Sequence, residues 1–305
     1  MFLEFEKWHG CKNDFIVIWT SSSQFKNVGA SILRKAVDLC ARNSGIGADG
    51  VMILVHPANE VLPEQLIIVN SDGSIAKTCG NGIRCAALSV YQHALAKNVR
   101  PIESVELKVE GTSYLCQFLP QKGLPLVQVS MGVPSLDDSN SWHKEAIPFL
   151  KTKLKELKLE HLLANVHTCS LANRHLTFFL EQEENLSVMR QVGQLLSPYW
   201  DGINVSFASP LDASSKDFPL AMRSLETTEA HKVFVWERGA GETQACGSAA
   251  CAVATALLSS ELNPRSSWVP TLFPGGWLFA KQDTADEDIL LCGPGEFVFS
   301  GQFEI

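Results

Sequence analysis

Two cysteines in this chain stand where thiols can do proton chemistry. Cys79 lies in the run NSDGSIAKTCGNGIRCAA, Asn70 to Ala87, and Cys246 in ERGAGETQACGSAACAVATA, Glu237 to Ala256. Each sits in a polar, Gly-rich turn that opens directly into an apolar helical pattern. Unpaired backbone N–H groups and the positive end of the helix dipole favour a thiolate there, and equally favour an anionic ligand group beside it. Two such mouths in one chain suggest two thiols facing one substrate. One, as thiolate, removes a proton from a carbon between an amine and a carboxylate; the other, as thiol, returns a proton to the opposite face, and the carbon is inverted. A carbanion beside a carboxylate needs fixed donors and little water. The backbone N–H groups of Gly80, Asn81, Gly247 and Ser248 are placed to be those donors.

The elements that must hold these groups are legible as a pattern that occurs twice. Strand, polar corner, strand, Gly-rich turn, Cys and helix follow one another in each half. In the first half, strands are expected at Phe15 to Trp19, after a polar turn at Lys12 to Asp14, and at Val51 to Val55, Leu66 to Val69, Val105 to Val109, Ser113 to Phe118 and Leu126 to Met131. Helical spacing runs over Ala30 to Ala41 and again from Ile83 to Leu95, and Gly45, Gly47 and Gly50 mark a turn. In the second half the β-rich run VHTCSLANRHLTFFL is interrupted at Ala172 to His175. Helices are expected at Lys151 to Glu160, Val188 to Leu196 and Ala249 to Leu258, and strands at Ile203 to Ala208 and Val233 to Trp236. Pro134 to Ser141 reads as a connector, Ser209 to Phe218 as a surface loop, and the tail as two short strands around a Gly-Pro turn. The expected fold is α+β, with two pseudo-symmetric domains, each a mixed or antiparallel sheet wrapped around a central helix. Residues 1–125 form the first, 126–291 the second, and 292–305 return to the first.

Composition narrows the class. The 305 residues, 46% hydrophobic and 19% charged, suit a globular protein with a substantial core. A formal net charge of -8, without a basic stripe, argues against nucleic acid and anionic membrane as partners. No apolar run is long enough to span a bilayer, and MFLEFEKWHG lacks the layout of a signal peptide, so the expected location is the cytoplasm. Nine cysteines with no CxxC pair fit a reducing compartment, and their spacing with no nearby His disfavours a metal site. Cys40, Cys116, Cys169 and Cys292 read as core residues, Cys85 and Cys251 as helix packing, and His9 as structural.

The segments WHGCKNDF, RNSGIGADG, NSDGSIAKTCGNGIRCA, INVSF, ERGAGETQACGSAACA and CGPGEFVFSG, in that order along nearly the whole chain, resemble the motif series of the diaminopimelate epimerase family. The resemblance implies a cofactor-independent enzyme that interconverts LL- and meso-diaminopimelate for lysine and cell-wall synthesis. It also implies an active site between two domains, and a homodimer. Under it Cys79 and Cys246 are the acid/base pair, and Glu237 and His175 manage protons around them. Asn13, Asn70, Asn173, Asn204 and Arg238 hold the far end of the substrate. Glu237 and Arg238 also suit a second amino-acid head, one meeting its ammonium and the other clamping its carboxylate. The chain departs from the family pattern in three ways: Ala172 and Arg174 flank Asn173 where Gly and Pro are usual, Ala249 replaces a glycine after Cys246, and the connector and loop are longer. Arg174 motivates an alternative substrate, such as histidine or another polar amino acid. A non-catalytic binder or a thiol redox protein is the reading from a different class.

Overall fold

The computed structural model describes residues 1–57, 62–98, 102–121, 123–136, 142–211, 218, 222–223, 225–259 and 266–305. The chain forms two compact units, Met1–Ser130 with Cys292–Ile305, and Met131–Leu291.

In the first unit β1 (Phe2–Gly10) and β2 (Asn13–Ser21) make a hairpin whose two turn residues, Cys11 and Lys12, have φ of 53° and 65°. The turn is tighter than the sequence suggested, so Asn13 and Asp14 belong to β2. β3 (Gly50–His56) runs parallel to β2, and β4 (Gln65–Asn70) antiparallel to β3. β16 (Glu296–Glu304) pairs antiparallel with β1 and forms one edge of the sheet β16-β1-β2-β3-β4. β5 (Ser104–Val109), β6 (Thr112–Leu119) and β7 (Leu126–Ser130) form a meander. Because β7 pairs with β6, the first unit extends to Ser130, past the expected boundary at Leu126.

Helices cover both faces of the five-stranded sheet, which is why β3 is buried along nearly its whole length. α1 (Ser22–Cys40) lays Val28, Ile32, Ala36 and Leu39 against Ile16, Ile18, Val51 and Ile53. It begins at Ser22, well before the expected Ala30, because the Ser21 hydroxyl accepts the Gln24 N–H and caps it. α2 (Gly80–Ala96) packs on β1, β2, β3, β5 and β7 and is buried on nearly all sides through its first three turns. A helix apolar or small all round has nowhere to be except inside.

The second unit is built on the strand order β8 (Val166–Ser170), β9 (Arg174–Phe179), β10 (Asn204–Leu211), β11 (Ala230–Glu237), β13 (Val269–Phe273), β14 (Gly276–Lys281). The pairs β9–β10 and β11–β13 are parallel, and β12 (Gly241–Glu242) folds back on β11. α5 (Gly247–Leu258) is the buried counterpart of α2 and packs on β8, β9, β10, β13 and β14. α3 (Trp142–Glu156) and α4 (Leu186–Leu196) share a second core cluster with Leu176, Phe178, Val205 and Phe207. β15 (Leu290–Gly293) leads back to the first unit.

Two sequence expectations shift here. The helix expected at 151–160 is α3, which starts at Trp142 and carries Pro148 inside it. Trp142, Ala146, Leu150 and Leu154, four residues apart, supply the buried stripe that outweighs the proline. Ser209 to Leu211, expected in a loop, continue β10 against β11. The hairpin β13–β14, whose strands flank the Pro274-Gly275 turn, was not among the expected elements. Residues 137–141 of the expected connector and 212–217 of the expected loop lie outside the described residues. Among the described residues no helix is long and apolar enough to cross a membrane, and no cluster of three His, Cys, Asp or Glu is arranged to hold a metal ion.

Candidate active site

Cys79 is itself the N-cap of α2. Its backbone is extended (φ -156°, ψ 98°) and its Sγ accepts the Gly82 N–H at 3.4 Å, the place a Ser or Asp oxygen usually takes. The side chain is half-buried. A sulfur that receives a helix N–H at the positive end of the dipole is favoured as an anion.

Two asparagines stand at this mouth. Asn81 is buried and donates to the Asn13 Oδ1 at 3.2 Å, while its own Oδ1 accepts from Arg84 at 3.0 Å. Asn13 in turn donates to Asp49 at 2.6 Å, and Asp49 also accepts from the Asp14 N–H and from Arg42. Asp14 lies between Arg42 and Lys7, with which it pairs at 2.8 and 2.7 Å. Burial alone would raise the Asp14 carboxyl, but hydrogen bonds from Arg42 and Lys7 outweigh it and bring the pKa to about 2. Asp49, Arg42 and Arg84 thus hold the asparagines, a role the sequence did not signal. Asn70, at the end of β4, is exposed and bonds to Ser74, shaping the turn.

Cys246 is the N-cap of α5 (φ -130°, ψ 117°) and differs from Cys79 in its surroundings. It is buried, with Ser248 Oγ at 3.4 Å. Burial first, and then the Glu237 carboxylate, push its thiol well above the usual range; the Ser248 hydroxyl and the Ala249 N–H pull the other way and are outweighed. Ala249, at the departure from the usual glycine, is fully buried in α5. Glu237 accepts from the Thr243 hydroxyl at 2.5 Å.

A hydrogen-bonded chain runs beside this group. His175 on β9 lies across from Asn204 on β10, and its Nε2 stands 2.8 Å from Asn173 Oδ1 and 3.3 Å from Asn204 Nδ2. Asn204 Oδ1 accepts the Arg238 N–H at 2.8 Å. That bond fixes the amide so that its Nδ2 faces His175. His175 is fully buried, and burial lowers its pKa from 6.5 to about 3, so the imidazole is neutral at ordinary pH. Below pH 6.5 the unfolded chain gains a proton that the folded one refuses. Stability therefore falls as pH drops from 6.5 towards 3, by roughly 2 kcal/mol at about pH 5. His175→Gln is expected to lessen this loss, read as the urea midpoint at pH 7 and pH 5; the same acid shift in both proteins would disprove it.

Arg238 is exposed, and its guanidinium makes no ion pair among the described residues. Its stem lies over Gly202, where a β-carbon would stand 2.3 Å from Arg238 Cδ. Arg174 is differently placed: it donates to the Trp200 carbonyl and to Asp201 at 3.4 Å. Those residues open a run of three left-handed conformations, Trp200, Asp201 and Gly202. The extra cation thus ties down the turn before β10, which removes the motive for a differently charged substrate. Cys85 and Cys251 are fully buried within α2 and α5, as expected of packing residues.

Each unit thus offers a helix-capping cysteine in its own setting: Cys79 half-buried, receiving the Gly82 N–H, with Asn81 and Asn13 at its helix mouth, and Cys246 buried, with Glu237 and Ser248 acting on its thiol. Several known proteins similar to this chain in sequence are diaminopimelate epimerases. A family model described as diaminopimelate epimerase matches residues 5–136. The diaminopimelate epimerase of Bacillus pumilus is 31% identical, over 98% of this chain and 98% of its own length. That of Methanococcus maripaludis is 32% identical, over 99% and 100%. Among solved structures, the fold is similar to a PhzF-family phenazine biosynthesis protein of Bacillus anthracis (TM-score 0.65, 10% identity, all of both chains). It is also similar to a hydroxyproline epimerase of Agrobacterium vitis (TM-score 0.60, 10% identity, 99% of this chain and 92% of that one). On sequence likeness over its full length, this chain belongs to the diaminopimelate epimerase family.

Proposed function

We propose that the protein is an isomerase that interconverts LL- and meso-diaminopimelate by moving a proton across the α-carbon between two cysteines. The observation that carries the reading is the pair of cysteines, each capping a buried helix, in a chain similar from end to end to diaminopimelate epimerases. Inversion requires the two sulfurs on opposite faces of one carbon. As thiolate, Cys79 takes the α-proton: the C–H bond breaks, an S–H bond forms, and the electron pair moves into the carboxylate. Cys246, held as a thiol by burial and Glu237, gives its proton to the other face. In the reverse direction the roles exchange.

The other groups support this chemistry. N–H groups of Gly80, Asn81, Gly247 and Ser248 receive the charge that develops on the carboxylate. Asn13, Asn70, Asn173, Asn204 and Arg238 hold the distal amino-acid head, with the unpaired Arg238 guanidinium meeting its carboxylate. Glu237 raises the proton affinity of Cys246, and neutral His175, donating from Nε2 to Asn173 Oδ1 at 2.8 Å, holds Asn173 in place.

The test is incubation of purified protein with LL-diaminopimelate in deuterated water and no added cofactor. Meso product carrying deuterium at the inverted carbon is expected; conversion of another amino acid, with none of diaminopimelate, would refute the substrate. A reducing compartment, the cytoplasm, suits an enzyme whose reacting groups are thiols. Phe297, Val298 and Phe299 lie exposed in a row on edge strand β16, and a second copy of the chain is the partner that suits such an edge. Sedimentation at the mass of a single chain would argue against this homodimer.

A further inference from the structure

Behind the mouth of α2 lies a buried cation with no carboxylate partner among the described residues. Arg84 is fully buried, and its guanidinium donates to Asn81 Oδ1 at 3.0 Å, to the Gly80 carbonyl at 3.4 Å and to the Pro294 carbonyl at 3.4 Å. All three acceptors are neutral. No carboxylate pairs with it among the described residues, although a cation removed from water ordinarily finds one. The chain makes room for it at Gly10, where a β-carbon would stand 3.2 Å from Arg84 Nη2.

The titratable groups on which Arg84 acts come from several elements, and none of them neutralises it. Cys11 lies in the β1–β2 turn, Cys85 on α2, Cys116 on β6 and Cys292 on β15, and the guanidinium favours the anion of each. Burial dominates and raises all four, Cys116 and Cys292 to about 12, so these thiols stay protonated. The carboxylates nearest them are engaged elsewhere: Asp14 with Lys7 and Arg42, and Glu296 facing His9 at 3.7 Å. The guanidinium reaches the mouth of α2 through its bonds to Gly80 and Asn81, the two residues that follow Cys79.

We infer that Arg84 is a positioning residue for the Cys79 half of the site, its hydrogen bonds fixing Gly80 and Asn81 and its uncompensated charge supporting an anion at the helix mouth. That anion is the Cys79 thiolate in the resting enzyme and the substrate α-carboxylate during turnover. The inference rests on the proposed two-thiol chemistry, and the two are separable by experiment.

Two variants divide charge from geometry. Arg84→Met removes both the charge and the hydrogen bonds; Arg84→Lys keeps the charge and loses the fork. Iodoacetamide alkylation of Cys79, followed by peptide mass spectrometry across pH without substrate, reads the thiol directly. Arg84→Met is expected to move the alkylation midpoint up by about one pH unit, and Arg84→Lys to leave it within a few tenths while raising KM for diaminopimelate about tenfold. A folded Arg84→Met protein, by circular dichroism, with an unmoved midpoint overturns the inference. If Arg84→Met does not fold, Arg84→Lys decides: an unchanged KM overturns the inference, and a raised KM with an unchanged midpoint supports it. Should the wild type fail to turn over diaminopimelate, the proposed function falls while the alkylation arm still tests the charge.

Discussion

Cys79→Ala and Cys246→Ala are each expected to lower the rate of diaminopimelate inversion by about 1,000-fold or more, the upper part of the range for removing one positioned acid or base. The reason is directional. Inversion needs a proton acceptor on one face and a donor on the other, so neither cysteine substitutes for its partner. The same logic makes exchange and inversion separable. With Cys246 replaced, Cys79 still removes and returns a proton on its own face, so one stereoisomer should exchange its α-hydrogen with deuterated water while keeping its configuration. The Cys79→Ala protein should do this with the opposite α-configuration. Chiral chromatography with mass detection measures both quantities at once. Inversion at the wild-type rate in either variant would rule out the two-thiol scheme. Cys85→Ala and Cys251→Ala serve as controls, because both side chains are fully buried in their helices. They should cost stability, on the order of 1–2 kcal/mol, with kcat nearly intact.

Glu237→Gln should lower kcat by about 100-fold and also move the pH profile. The substitution preserves shape, and the Thr243 hydroxyl retains an oxygen acceptor at its place on Glu237. What it removes is the negative charge that, after burial, most raises the Cys246 thiol. Without that charge the thiolate costs less and the thiol form is lost at lower pH. The alkaline limb of kcat/KM that reports Cys246 as proton donor should therefore shift to lower pH, whereas the limb that reports Cys79 stays. Comparing the full profiles of the two proteins checks this, and an alkaline limb that does not move would remove Glu237 from the control of Cys246.

How much of this was legible in the sequence depended on whether the cause was local. The capping cysteines were legible because a Gly-rich turn followed at once by small and apolar residues leaves little choice about where a helix begins. Fold class was legible for the same reason. Long-range ties were not. Asn13 is held by Asp49, thirty-six residues away, and that partnership arises only when β2 and β3 lie side by side. Arg174 looked like a surplus cation near the substrate and proves to be bonded to the turn before β10, a contact no periodicity predicts. His175 read as part of a polar interruption, yet it begins the buried run of β9, because the break is confined to the three residues before Arg174. α3 was misplaced because a proline within the run argues locally against helix, and the buried stripe that overrides it is visible only once the packing partners are known.

The last strand has a bearing on how the protein comes into being. β16 holds residues 296–304, pairs along β1, and brings the Ile305 N–H within 2.9 Å of the Met1 carbonyl. A chain made from its amino end therefore exposes one side of β1 until residues 296–304 follow, by which point residues 131–291 of the second unit have already been made. The sheet of the unit bearing Cys79 therefore closes after the second unit has been made. A product cut short before β16 would carry both cysteines and lack a closed sheet in the unit of one of them, so synthesis itself orders the steps: the strands around the second thiol are available first, and the edge strand of the other unit comes after them.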